Sequence, residues 1–291
     1  MPDLQDLRTA ASGTAARSPR SVRLFLCGDV MTGRGIDQVL AHPCEPTLHE
    51  DFVASAKDYV SLAEQANGPI PRHLDASYVW GAALDELDRM RPDARIVNLE
   101  TAITDSDDYV RKGINYRMSP ENAGCLCAAG IDCCALANNH LLDWGRRGLL
   151  QTLATLQRLQ IKTAGAGRNV SEAAAPAALD IANKARLLVF SFGSVTSGIP
   201  RNWAATKNHP GINLLPGFPR RRRCASRNTS SASSNRTIWS LFRFTGDRTG
   251  ATRSPPNNGT SRARSSTGRM CLSFTAIRRI TRGPSRSTMS G

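Results

Sequence analysis

Residues 131–149 read Ile131-Asp-Cys-Cys-Ala-Leu-Ala-Asn-Asn-His-Leu-Leu-Asp-Trp-Gly-Arg-Arg-Gly-Leu149. After Asp132 the run is short and apolar, the composition of a buried strand. Asn138, Asn139, His140 and Asp143 then crowd polar, metal-competent side chains into one turn. Beyond Gly145 and Gly148, Leu149, Leu150, Leu153, Leu156 and Leu159 recur at helical spacing, which predicts a helix. A strand, a polar loop and a helix in that order point to an α/β fold, where ligands sit at the carboxyl ends of strands. An imidazole and a carboxamide delivered there suit a divalent metal holding a phosphate or carboxylate. Asn and Asp are also preferred helix caps, so this stretch alone also fits a purely structural turn.

Two other predicted strands end in the same kind of group. Val22 to Cys27 runs into Gly28-Asp29-Val30-Met31-Thr32-Gly33-Arg34-Gly35, where glycines allow a tight turn and Asp29 stands at the strand's end. Ala94 to Val97 ends in Asn98-Leu99-Glu100-Thr101. Between these strands, residues 37–75 read as a long, partly helical excursion, and Trp80 to Met90 as a helix broken by Pro92. Its histidines His42, His49 and His73 have no ligand-like spacing, so loop positions are expected for them. Ser119-Pro120 opens a helix that Gly130 closes. Further on, Ile161 to Ala164 is a strand and Asn169 to Glu172 a short helix. Ala177 to Ile181 and Leu187 to Phe192 read as an antiparallel pair, and 194–216 as loop. Convergence of Asp29, Asn98, Glu100 and the 138–143 group at strand termini would supply the carboxylates, amides and imidazole of a dinuclear metal site.

The chain of 291 residues carries a formal charge of +14, but the charge is unevenly placed. Of 38 Lys and Arg and 24 Asp and Glu, residues 218–291 hold 16 Arg and one acid, Asp247, leaving 22 basic and 23 acidic side chains elsewhere. The expected organisation is therefore a leader at 1–21, a near-neutral globular domain at 22–217 and an Arg/Ser-rich tail at 218–291 that lacks the apolar periodicity to order itself. The eight cysteines form no disulfide framework; Cys27, Cys133 and Cys134 fall in apolar runs and fit a reducing compartment. No transmembrane run and no apolar signal core are seen, so a cytoplasmic location is expected.

The segments Gly-Asp-Val-Met-Thr-Gly-Arg (28–34), Asn-Leu-Glu-Thr (98–101), 137–149 and Ala-Gly-Ala-Gly-Arg-Asn (164–169) with Glu172-Ala173 resemble the CapA family, associated with poly-γ-glutamate capsule synthesis. The resemblance covers residues 22–216. It implies a calcineurin-like metallophosphatase sandwich, two sheets flanked by helices. It implies Asp29, Glu100 and Asn139 as ligands of two divalent metals of the Mn, Fe or Zn type, and His140 with Asp143 as the catalytic pair. The partners implied are an anionic polymer or phosphate-containing substrate and a capsule synthase complex. A non-enzymatic role as a polymer-binding or scaffold partner of that synthase is the alternative.

The family pattern also includes His-Trp-Gly and His-Gly-His motifs, and this chain has no histidine after His209. Without those imidazoles the metals would be incompletely held and the fold incomplete at its C-terminus. Both motifs reappear when codons chosen for Ser240–Gly250 and Ser273–Arg282 are read from their third base, giving A-V-S-I-H-W-G and V-H-G-H-S-S-H-H-P. A frameshift near Gly217 to Pro219 is the expectation that follows, with an inactive product. The competing reading takes Arg220 to Arg223 and the basic tail as a nucleic-acid-binding arm. Its aromatic interleaving is thin (Trp239, Phe242, Phe244, Phe274), so no specific nucleic-acid partner is expected.

Overall fold

The computed structural model describes residues 22–181 and 185–216 and, as backbone only, two strands at 237–245 and 273–280. Its first half runs β1 (Leu24–Val30), α1 (Gly35–Val39), α2 (Ala56–Asn67), α3 (Ala83–Met90), β2 (Ala94–Leu99), β3 (Ala102–Ile103), β4 (Arg117–Met118), α4 (Gly124–Ala128) and β5 (Cys133–Ala135). There follow α5 (Gly145–Arg158), β6 (Lys162–Ala164), β7 (Ala166–Gly167), α6 (Val170–Ala174), β8 (Ala177–Ile181), β9 (Ala185–Phe192), β10 (Gly211–Ile212), β11 (Thr237–Thr245) and β12 (Ser273–Ile280).

The organising layer is a four-stranded sheet in the order β1-β2-β5-β6, with every pair parallel. Side chains alternate across a strand, and β2 shows what each face meets. Ala94 and Ile96 join Cys133, Ala164, Leu187 and Val189 in a core against β8 and β9. Val97 and Leu99 turn the other way, packing with Cys134, Leu126, Leu149 and Leu156 beneath α4 and α5. Each Leu or Val so buried contributes roughly 1.5–3 kcal/mol. The second sheet has the order β12-β11-β9-β8, with β8 and β9 antiparallel as expected. The chain is thus a mixed α/β protein with a parallel sheet and flanking helices.

Several element bounds differ from the sequence reading. The helix expected from Leu149 already begins at Gly145, whose φ of 64° only glycine adopts without strain. A Cβ there would also run into the Asp108 carboxylate. The segment expected as one helix from Ser119 splits into a 3-10 turn at Pro120–Ala123 and α4. Residues 78–80 form a 3-10 turn, and Gly81 at φ 49° separates it from α3. Strand β1 continues to Val30 because β2 pairs with it up to Leu99. Cys133 and Cys134 are buried and Cys127 is exposed, and all three are free thiols. No helix among the described residues is long and apolar enough to cross a membrane.

The expected leader at 1–21 lies outside the described residues, as does the expected tail except for β11 and β12. In those two segments, where composition predicted no ordered element, the backbone is extended. β11 adds in parallel to β9, and β12 pairs antiparallel with β11. An open strand edge offers unpaired N–H and C=O groups that an extended segment can satisfy.

Candidate functional site

A bulge sets the site's register. Leu26 pairs with Ile96, but Asp29 pairs with Asn98, so two residues of β1 face one of β2. In regular pairing Asp29 would oppose Leu99, which is fully buried against the helices. The extra residue turns Asp29 to the face that carries Asn98. There Asn98 Nδ2 donates to Asp29 Oδ1 at 2.8 Å and to Glu100 Oε1 at 3.1 Å. One carboxamide thus links two carboxylates that would otherwise repel.

The next strand end locks that amide. Asn138 Nδ2 donates to Asn98 Oδ1 (3.2 Å) and to the Leu99 carbonyl (2.8 Å), while Asn138 Oδ1 accepts the His140 N–H at 3.0 Å. A continuous set of hydrogen bonds therefore runs from Asp29 through Asn98 and Asn138 to His140. Of the adjacent amides, Asn138 is the one that joins this set. Asn139 gives its carbonyl to Lys112, and its carboxamide lies near Gly198.

His140 Nδ1 lies 2.8 Å from Asp143 Oδ2. Asp143 is fully buried, and its carboxylate also accepts from Lys112 Nζ at 2.5 Å and from the Tyr116 N–H at 2.7 Å. Asp143 therefore holds the imidazole in place and does not itself reach solvent. Burial pushes the His140 pKa below its ordinary value, the Asp143 contact opposes that shift, and the Lys112 and Arg34 charges add to it. Nδ1 faces the Asp143 carboxylate, an acceptor that favours a proton on Nδ1 and leaves Nε2 as the acceptor of the neutral ring. The Tyr116 ring covers the imidazole at 4.2 Å between centroids.

Lys112 and Tyr116 come from the loop before β4 and were not legible as site residues. Asp143's own carbonyl holds that loop by accepting from Val110 N (2.7 Å) and Asn115 Nδ2 (3.2 Å). A Lys in a polar loop carries no pattern that separates it from a solvated charge.

The ligands expected from the sequence supply the carboxylates of Asp29 and Glu100, joined through Asn98, and the Asn139 carboxamide from the next strand end. Among the described residues, no three His, Cys, Asp or Glu side chains group as a metal cage. Asn98 also turns its N–H donor, not its oxygen, toward the two carboxylates, and Asn138 fixes it so. The residues therefore offer oxygen ligands for part of a cation's shell and do not complete a two-metal centre.

The sequence pattern of bacterial capsule synthesis protein PGA_cap matches residues 23–238. The chain belongs to that family. A probable polyglutamine synthesis accessory protein of Mycobacterium tuberculosis H37Rv is 42% identical over 201 residues, which cover 69% of this chain and 53% of that protein. The PGA biosynthesis protein CapA of Bacillus subtilis 168 is 27% identical over 124 residues, covering 42% and 31%. An uncharacterized protein of Sinorhizobium fredii, y4sH, is 32% identical over 134 residues, covering 42% and 28%. The chain thus spans about half the length of the mycobacterial relative and less of the others. The match to the PGA_cap family takes in all the strand ends that carry Asp29, Glu100, Asn139, His140 and Asp143.

Proposed function

We propose that this chain is a CapA-like protein of poly-γ-glutamate or capsule synthesis whose strand-end cluster is a metallophosphatase-type site in a calcineurin-like sandwich. We further propose that a frameshift near Gly217 to Pro219 leaves it inactive. The observation that carries the reading is the linkage of Asp29, Asn98, Glu100, Asn138 and His140 at the ends of three adjacent parallel strands. A divalent metal held there would polarise a phosphoryl or carboxyl oxygen. The chain's own residues do the rest. Asp29 and Glu100 offer oxygen ligands, and Asn98 keeps them at a set separation. His140 offers Nε2 to exchange a proton with a bound group while Asp143 fixes the ring.

The missing imidazoles support inactivity, because oxygen donors alone hold borderline metals weakly. The test begins with the nucleotide sequence. A gene whose shifted frame encodes both histidine motifs is expected, and an intact frame without them removes the frameshift. With the frame restored, the protein is expected to bind divalent metal and hydrolyse bis(4-nitrophenyl) phosphate, which the present chain leaves intact. Metal binding without turnover would favour the second reading, a non-enzymatic partner of a synthase. The accessory role in the mycobacterial relative's name is the observation behind that reading.

A further inference from the structure

Beside the strand-end cluster lies a cleft. The loop leaving β1, helix α2 and the turn at 78–80 enclose a cavity of about 760 Å³, within the range of small-molecule sites. Ile36, Val60 and Ile70 supply aliphatic wall, and Tyr59, Trp80 and Tyr116 supply aromatic wall.

Among the described residues of this wall, the one cation, Arg34, is already matched. Its Nε donates to Glu50 Oε1 at 2.7 Å, and Tyr59 Oη donates to Glu50 Oε2 at 2.7 Å. Nη2 also lies 2.5 Å from Glu50 Oε1, though not in hydrogen-bonding geometry. The guanidinium lies 4.5 Å from the Tyr59 ring centre and 5.0 Å from that of Tyr116. The wall is therefore largely apolar, part aliphatic and part aromatic, and close to neutral. It is also held under strain, since Arg34 has φ 53° and ψ −129°, a conformation costing on the order of 1–3 kcal/mol in a residue with a side chain. Such strain concentrates where a ligand or a reaction needs the geometry. Tyr116 ties the cleft to the cluster, because the same ring covers His140.

We infer that the cleft takes the uncharged apolar or aryl part of a substrate whose anionic end is held at the strand-end cluster. The substrate class is then an amphiphilic ester, such as the phosphoester of an apolar alcohol, and not a bare polyanion. The assignment of the anionic end rests on the proposed function above; the cleft's own preference does not.

The full chain is titrated with the uncharged fluorescent probe N-phenyl-1-naphthylamine, in competition with 1-naphthyl phosphate and with inorganic phosphate. Saturable binding is expected, displaced by 1-naphthyl phosphate but not by inorganic phosphate. Ala63→Trp, which fills the cleft, should weaken binding about tenfold or more, as should Ile36→Glu, which places a charge on its wall. Asp29→Asn should leave probe affinity within about twofold, because it lies in the cluster and not in the cleft. Absence of saturable binding, as when another part of the chain or a second copy fills the cleft, overturns the inference. Equal affinity in both cleft variants with native circular dichroism also overturns it. If 1-naphthyl phosphate binds but the frame-restored protein does not cleave it, the proposed hydrolysis fails and the cleft stands.

Discussion

The two ends of the candidate site are built differently. At the β5 end, Asp143 is fully buried and accepts from three groups, one of them His140, which is only 8% exposed. At the β1 end, Asp29 is exposed and stands on the outermost strand of the parallel sheet. The first end is supported by residues near it in sequence and by one loop that folds over it. The second reaches its place through a bulge and meets an amide from a neighbouring strand. The contrast teaches that the imidazole end is part of the buried framework, whereas the Asp29 carboxylate stands at the surface of the sheet.

Removing the buried carboxylate should be the largest effect. Asp143→Leu leaves Lys112, His140 Nδ1 and the Tyr116 N–H without their common acceptor, and the loss expected in urea unfolding is about 3 kcal/mol or more. Lys112→Met takes away one donor while two remain, so about 1–3 kcal/mol is expected from the same measurement. If both substitutions cost less than Asp29→Asn, the contrast between the ends is wrong.

The third test uses pH. Burial holds the His140 pKa below its ordinary 6.5, so the unfolded chain takes up a proton on falling pH before the folded chain does. Stability from this group is complete above that ordinary value and is lost as pH falls from it toward the lower folded pKa. His140→Gln should therefore flatten the fall in urea midpoint between pH 7.5 and 5.5, and an unchanged slope would show that His140 does not drive it. The smallest effect is expected for Asp29→Asn, within about 0.5 kcal/mol of the parent. A loss as large as that of Asp143→Leu would mean that the exposed end is braced as firmly as the buried one.

Much of the site could be read from residue order, and what could not has a physical cause. Asp29, Glu100 and His140 each follow an apolar strand run, so their place at a sheet's edge was legible. Which of Asn138 and Asn139 would turn inward was not, because adjacent residues in a turn point in directions set by their dihedrals and not by composition. Lys112 and Tyr116 were missed because a loop without periodicity gives no sign of what it will cover. The β11 and β12 segments were missed because sheet addition uses backbone groups that every residue carries.

The sequence by itself determined the alternation of strands and helices, the apolar runs that become the two cores, and the family. The alternation and the apolar runs follow from local periodicity, a property of neighbouring residues, whereas the family follows from the motifs at 28–34, 98–101, 137–149 and 164–169. Only the tertiary structure decided that a bulge turns Asp29 toward Asn98, 69 residues away, and that a distant loop brings Lys112 to Asp143. Such contacts depend on strand register and on how a loop returns to the sheet, and no local pattern encodes either.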